Sequence, residues 1–263
     1  MSNPEQAKRE YDALAEGYND FSQTPIGLLE SQLIKMALGD LTGLTVLDLG
    51  GGSGLHAREA IDLGAVSVDI VDISPGMMKV AQDIEKSLGR NVMRFFEGDA
   101  AKPLSHLPLR EEGYDVVMAN WVFNFAESIE VLEAMFRNVT TYLKRGGRFV
   151  GVRDANINVD SAALPSTGIN GKYGARLLWV KPLPGGERGY KYFVRLDSHV
   201  PVEFEGSSLE ILNSGSPEVY EKAGLSDIEI VPYESAEVVR KDPEFWKEFL
   251  ELPYMAVVKA TKK

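Results

Sequence analysis

The run Val46-Leu47-Asp48-Leu49-Gly50-Gly51-Gly52-Ser53-Gly54 constrains this chain more than any other. Val46, Leu47 and Leu49 supply an apolar strand, and the glycines after it admit positive φ and leave no Cβ to hold a ligand away from the main chain. Residues 55–63 then carry apolar positions at helical spacing, so the turn opens into a helix N-terminus. Alone, the pattern fits a tight turn in any α/β protein. A second apolar run, Val66 to Asp72, narrows the choice, because it ends in a carboxylate at the distance over which a βαβ unit returns its second strand beside the first. Asp72 is therefore expected at the carboxyl edge of strand two, placed to accept hydrogen bonds from a ribose diol.

The same rhythm continues downstream. Strands are predicted near 44–49, 67–72, 92–96, 114–119 and 147–153, with helices near 54–63, 75–88 and 127–144 and two leading helices near 4–20 and 26–38. Such alternation implies right-handed crossovers and a parallel sheet covered on both faces. After Arg153-Asp154 the rhythm breaks. Residues 155–215 hold Pro165, Pro182, Pro184 and Pro201 among several glycines, and two aromatic or β-branched runs, Tyr190 to Leu196 and Val200 to Phe204, that read as an antiparallel pair. A segment of this kind either covers a ligand site or caps one edge of the sheet. The pattern resumes with a helix from Ser216 that closes on Gly224, a strand at 227–232, a helix near 242–250 and a last strand from Tyr254 to Ala260.

Composition excludes several function classes. At 263 residues and 44% hydrophobic content, one domain with a decorated core is the expected organisation. The absence of cysteine removes disulfides, thiolate metal sites and iron–sulfur radical chemistry, and no metal site is expected. A net charge of −11 with no clustered Lys/Arg run argues against a nucleic-acid partner. Met1 to Glu10 is polar and no apolar run reaches the length of a membrane span, so the expectation is a cytoplasmic protein without membrane contact.

Glycine spacing separates the nucleotide classes. A dinucleotide fingerprint beginning at Gly50 needs a small residue at position 55, where Leu55 stands, and no Tyr-x-x-x-Lys pair occurs in the chain. The pattern present, Asp-x-Gly-x-Gly-x-Gly over Asp48 to Gly54, resembles motif I of the class I S-adenosylmethionine-dependent methyltransferases. The likeness continues through Asp72-Ile73-Ser74-Pro75-Gly76-Met77-Met78, Phe95 to Ala100, Tyr114 to Asn120 and Leu143 to Val150, and upstream through Tyr11 to Asn19. It covers roughly residues 8–153 and 216–260 and is similar to the ubiquinone/menaquinone-biosynthesis and toxoflavin-synthase-like branch. The resemblance implies a Rossmann-like, seven-stranded, mostly parallel α/β sheet with helices on both faces, its last strand antiparallel between strands five and six. It further implies a single domain, 1–263, with an N-terminal helical cap at 1–40, a cofactor-binding core at 41–154 and 216–263, and a lid-like insertion at 155–215 between strands five and six.

The resemblance also assigns roles. S-adenosyl-L-methionine would lie on Asp48, Gly50, Gly51, Gly52 and Gly54, with Asp72 on its ribose and Ile73 and Met77 in the turn that covers one adenine face. Asp99 would accept from the exocyclic amine, Ala100 would offer its N–H, and Asn120 would neighbour the amino-acid end. Tyr18 shares one face of the leading helix with Tyr11 and would border the sulfonium, with Tyr11 on the acceptor, unless the pair is plain core packing. Trp121, Phe123 and Asn124 follow strand four at the carboxyl edge and are expected to line a pocket for a small-molecule methyl acceptor. Arg153-Asp154 either reaches that pocket or forms an internal ion pair. Tyr173, Trp179, Tyr190, Tyr192 and Phe193 make the insertion aromatic, suited to a flat or cationic acceptor or to a small core of its own.

Methyl transfer from a sulfonium is an in-line displacement in which positioning supplies much of the acceleration. A hydroxyl or protonated amine needs a general base as well. Of the three histidines, His56 is read as a packing or capping group, His106 as a surface group, and His199, in the insertion, as the candidate base. The expected function is transfer to an oxygen or nitrogen of a small organic molecule, with specialised metabolism as one setting. A catalytically inactive cofactor-binding or regulatory protein of the same fold, and an NAD(P)-dependent oxidoreductase, stand as alternatives.

Overall fold

The computed structural model describes residues 18–155, 170–199 and 201–263. A short 3-10 helix, Tyr18–Gln23, leads into α1 (Pro25–Leu38), whose start is fixed by Pro25 at the first turn and by Thr24, which accepts a hydrogen bond from the Gly27 amide. Then β1 (Thr45–Leu49), α2 (Leu55–Asp62), β2 (Ser67–Asp72), α3 (Pro75–Ser87), β3 (Met93–Glu97), β4 (Tyr114–Asn120), α4 (Ile129–Tyr142) and β5 (Leu143–Asp154) alternate. Ser74 and Ser128 cap α3 and α4 by accepting from the amides of Met77 and Val131, each cap contributing about 1 kcal/mol.

Strands β9 (Leu225–Ile230) and β10 (Met255–Lys262) complete a seven-stranded sheet in the order β3-β2-β1-β4-β5-β10-β9. The five strands from β3 to β5 pair in parallel, and β10 runs antiparallel to both β5 and β9. The chain builds outward from β1 through β2 to β3 and then returns to place β4 on the other side of β1. That reversal opens a crevice between the carboxyl ends of β1 and β4, the place where open α/β sheets bind ligands.

Alternation along the strands divides the core between the two faces. Val46, Ile70, Met118 and Val152 point to one side, where Leu29 and Leu33 of α1 and Phe249 of α8 (Pro243–Glu251) cover them. Leu47, Val71, Val117 and Phe149 point to the other, beneath Phe136 and Val139 of α4 and Tyr220 of α6 (Glu218–Lys222). Between α6 and α8 lies the short α7 (Glu237–Lys241).

Beyond β5, β6 (Ala175–Pro182), β7 (Gly189–Leu196) and β8 (Val202–Leu209) form a separate antiparallel sheet, followed by α5 (Glu210–Asn213). Where the sequence predicts two strands here there are three, and the last runs to Leu209 rather than Phe204. Leu177, Trp179 and Val180 alternate weakly with Lys and Arg, so β6 gains its strand character from pairing with β7. The insertion is not a free-standing unit: Val194, Leu196 and Val202 join one core cluster, and Leu183 and Leu209 join the other. Most of the leading helix near 4–20, including Tyr11, lies outside the described residues, and its described end is 3-10 rather than α.

Candidate cofactor and acceptor site

Two cavities meet at the crevice. The larger, about 650 Å³, is walled by the glycine turn after β1, the ends of β2 and β4, the Gly98–Lys102 turn and the β6–β7 connection at Pro184 and Gly185. Gly50, Gly51, Gly52, Asp72, Ile73, Met77, Asp99, Ala100, Asn120 and Trp121 all line it. The sequence assembles these residues by strand length alone, since each follows the carboxyl end of a parallel strand.

Two glycines are conformationally required. Gly50 has φ +69° and a Cβ there would stand 2.0 Å from Val122 Cγ2, so the β1 turn and the β4 turn touch across the switch point. Gly52 has φ +52°, and its amide donates to Asp72 Oδ2 at 2.8 Å. The other carboxylate oxygen, Oδ1, accepts from the Ser74 amide at 2.8 Å. Asp72 thereby ties the first turn to the second.

Asp48 is 1% exposed, and its Oδ1 has no hydrogen-bond partner among the described residues. Burial pushes its carboxyl up to about 7; the His56 charge opposes the rise and the Asp72 charge adds to it. Both side-chain polar atoms of Asn120 are likewise buried and unpartnered among the described residues. Asp99 is fixed by the Ala101 amide, which donates to Oδ1 at 2.9 Å, and Asn138 donates to the Ala100 carbonyl at 2.8 Å. Unpartnered acids and amides beside bare backbone fit a ligand rich in hydroxyl and amine donors. The residues present therefore suit S-adenosyl-L-methionine. Gly54, the left-handed N-cap of α2, closes the turn without lining the cavity.

At the far wall, three carboxylate and imidazole groups form a buried chain that sequence reasoning leaves out. His56 Nδ1 meets Glu59 Oε2 at 2.8 Å and its Nε2 meets Glu30 Oε1 at 3.2 Å. Burial disfavours the imidazolium, but hydrogen bonds and charge from both glutamates outweigh it and hold the pKa up at about 10. Glu30 also accepts from the Trp121 indole N–H at 2.8 Å, which secures Trp121 in a left-handed conformation, φ +62°. The available signal was Glu30 itself, an acid on the apolar face of α1 between Ile26 and Leu33. His56 is thus an ion-network member rather than a cap.

The smaller cavity, about 90 Å³, lies between the three-stranded sheet and the main core, and shares Phe21, Trp121 and Phe125 with the larger one. Along β7 the alternation places Tyr190, Tyr192 and Val194 on the cavity side, whereas Phe193 stacks on Trp179 outside it. The aromatic residues therefore divide between pocket and local packing. At one end, Asn124 Nδ2 donates to Asp154 Oδ2 at 2.6 Å and to the Tyr192 hydroxyl at 2.8 Å, and Ser208 donates to the same carboxylate. Burial pushes the Asp154 carboxyl up to about 6, partly offset by the Ser208, Tyr192 and Asn124 hydrogen bonds and the Arg153 charge.

Several expected site residues lie elsewhere. Arg153 faces opposite to Asp154 on β5, where Nε donates to the Tyr220 hydroxyl at 3.1 Å and Nη1 to the Asn213 carbonyl at 3.4 Å; it lines neither cavity and makes no ion pair with its neighbour's side chain. Tyr173 is buried against Trp246, 4.9 Å between ring centroids, and its hydroxyl donates to the Phe245 carbonyl, so it too lines neither. Phe123 stacks on Phe136 at 4.4 Å within the core, and Phe125 takes the cavity wall in its place. His199 is exposed in the bend after β7 and lines neither cavity. Tyr18 opens the 3-10 helix that carries Phe21 to the shared wall. Among the described residues, no group of three or more acids and histidines is placed to hold a metal ion, and no helix is long and apolar enough to cross a membrane.

Comparison with known proteins agrees with this geometry. Residues 46–147 match the methyltransferase-domain family. A demethylmenaquinone methyltransferase of Lactococcus lactis is 30% identical over 122 residues, 45% of each chain, and a ribosomal protein L11 methyltransferase of Deinococcus radiodurans is 40% identical over 87 residues, 32% of each. The matched region spans less than half the length of either relative. A solved S-adenosylmethionine-dependent methyltransferase from Mesorhizobium loti superposes with a TM-score of 0.56 at 18% identity, over 87% of this chain and 95% of that one, which establishes the shared fold. With the glycine turn, the acid on the second strand and the seven-stranded order all in place, residues 46–147 are similar to the methyltransferase-domain family, and the chain shares the fold of solved S-adenosylmethionine-dependent methyltransferases.

Proposed function

We propose that this protein transfers the methyl group of S-adenosyl-L-methionine to an oxygen or nitrogen of a small organic molecule. The observation that carries the reading is the pair of adjoining cavities, one built from main chain at the switch point and one smaller and apolar, with Phe21, Trp121 and Phe125 as common wall. When bound, the cofactor supplies an electrophilic methyl group on a sulfonium. Gly50, Gly51 and Gly52 would give it close main-chain contact; Asp72 would accept from the ribose hydroxyls. Asp99 and Ala100 would engage the adenine, with Ile73 and Met77 along its faces. Asp48 and Asn120 would meet the amino-acid end, where both have unpartnered buried atoms.

In this reading, residues 1–263 act as one domain in which 155–215 excludes water from the acceptor. One relative is named for demethylmenaquinone and another for a ribosomal protein, and the small apolar cavity favours the first kind of acceptor. A protein of this shape that binds cofactor without transferring it would keep Trp121 closed between the cavities. Methyl-labelled cofactor offered with phenols, amines and carboxylic acids separates the readings: labelled product supports transfer, whereas S-adenosylhomocysteine binding without product across the panel supports the binding protein. A chain that binds a nicotinamide nucleotide in preference to S-adenosylhomocysteine would overturn both.

A further inference from the structure

We propose that the smaller cavity takes a neutral hydroxyl carried on a flat apolar ring, and that Asp154 accepts its proton as the oxygen is methylated; the inference rests on the methyltransferase reading. The polar end of the cavity already supplies its own donors. Asn124, Ser208 and Tyr192 all direct hydrogen toward the Asp154 carboxylate. Asn124 Oδ1, in a residue 3% exposed, has no partner among the described residues. What is missing is a donor, and a hydroxyl brings one.

The remaining wall rejects other ligands. Ile26, Leu177, Val194 and Phe204 make it apolar, and no Lys, Arg or His among the described residues lines it. A carboxylate acceptor would face Asp154 with no cationic side chain lining the cavity, because the Arg153 guanidinium is turned to the opposite face. A neutral amine needs no base, which leaves a buried carboxylate at that point without a task. The volume of about 90 Å³ is of the order of one ring; an engineered apolar cavity of about 150 Å³ accommodates benzene.

The step balances simply. The hydroxyl oxygen forms a bond to the methyl carbon, the carbon–sulfur bond breaks with its electron pair retained by sulfur, and the hydroxyl proton passes to Asp154, which later returns it to solvent. The products are a methyl ether and a neutral thioether. A carboxylate suffices as acceptor because the hydroxyl becomes strongly acidic as its oxygen is alkylated.

Calorimetry with phenol and benzene tests the pocket without relying on turnover. On protein saturated with S-adenosylhomocysteine, phenol is expected to bind about tenfold or more tightly than benzene, and Asp154→Asn is expected to reduce that preference to about threefold or less. Equal binding of the two, or a preference unchanged in the variant, overturns the proposal. With the methyl donor present, phenol methylation in Asp154→Asn should fall by about 100-fold or more while S-adenosylhomocysteine affinity stays within about twofold. Retained turnover, or methylation of aniline or benzoate in place of phenol, overturns it. Should Asp154→Asn not fold, Tyr192→Phe is expected to lower the phenol preference severalfold, and no change there counts against the proposal equally. Wild-type protein that fails to bind S-adenosylhomocysteine would instead sink the methyltransferase reading, and the proton transfer with it, while phenol preference on the cofactor-free protein still reports on the cavity.

Discussion

The two cavities are built from different materials. At the switch point the walls are largely main chain: amides of the glycine turn, an acid clamped by two backbone N–H groups, and turns that follow parallel strands. Behind Trp121, the smaller cavity is almost all side chain, with four polar groups gathered from the β4 turn, β5, β7 and β8. Main-chain geometry survives most substitutions. Side-chain contacts on a second sheet depend on which way a strand faces.

Four perturbations would break or sharpen that contrast. The largest effect is expected from Gly52→Val, which puts a branched side chain at φ +52° with its Cβ about 3 Å from Met77 Cε. S-adenosylhomocysteine binding should vanish in calorimetry while far-UV dichroism stays native, and near-parental affinity would show that backbone does not hold the cofactor. Asp72→Ala comes next, with a loss of about 1–3 kcal/mol in binding, because a charge-assisted contact goes and the Gly52 and Ser74 amides lose their acceptor.

His56→Gln sharpens the comparison through stability rather than binding. The folded pKa of about 10 lies above the ordinary 6.5, so protonation favours the native state below pH 6.5 and that stabilisation fades as pH rises through about 10. Thermal melts should show the parent losing on the order of 2–4 kcal/mol of stability between pH 6.5 and 10.5 from this group, and the variant losing much less over that range. A parent whose melting temperature is flat across the interval would mean that the Glu30–His56–Glu59 chain is not ionised as described. The smallest effect belongs to His199→Gln. Exposed and outside both cavities, it should leave turnover and its pH profile unchanged and move stability by no more than about 0.5 kcal/mol. A lost acidic limb in the pH profile would return His199 to the mechanism.

Legibility in the sequence follows the same division. The place of Asp48, Gly50, Gly51, Gly52 and Asp72 at the larger cavity is legible because spacing along a βαβ unit fixes where a strand ends. Tyr173, Arg153 and Phe123 were drawn toward the acceptor by proximity in sequence, yet each points into a core or away from the cavity. Adjacent residues on a strand face opposite ways, so Arg153 and Asp154 could not both line one pocket, and only the pairing of β5 decides which of them does. Glu30 left a faint mark as an acid among leucines, but its partners are brought to it by tertiary packing, since His56 comes from α2 and Trp121 from the turn after β4.

By itself, then, the sequence determined a parallel sheet with a nucleoside-binding crevice, since hydrophobic period and glycine conformation are local properties that act before any distant contact forms. The tertiary structure alone decided the lining of the smaller cavity. Whether Asp154 or Arg153 faces the cavity, whether Tyr192 or Phe193 lines it, and whether His199 approaches it all depend on strand register and on how a three-stranded cover packs onto the core. Those are long-range outcomes, set by burial of apolar faces that meet only when the chain has folded.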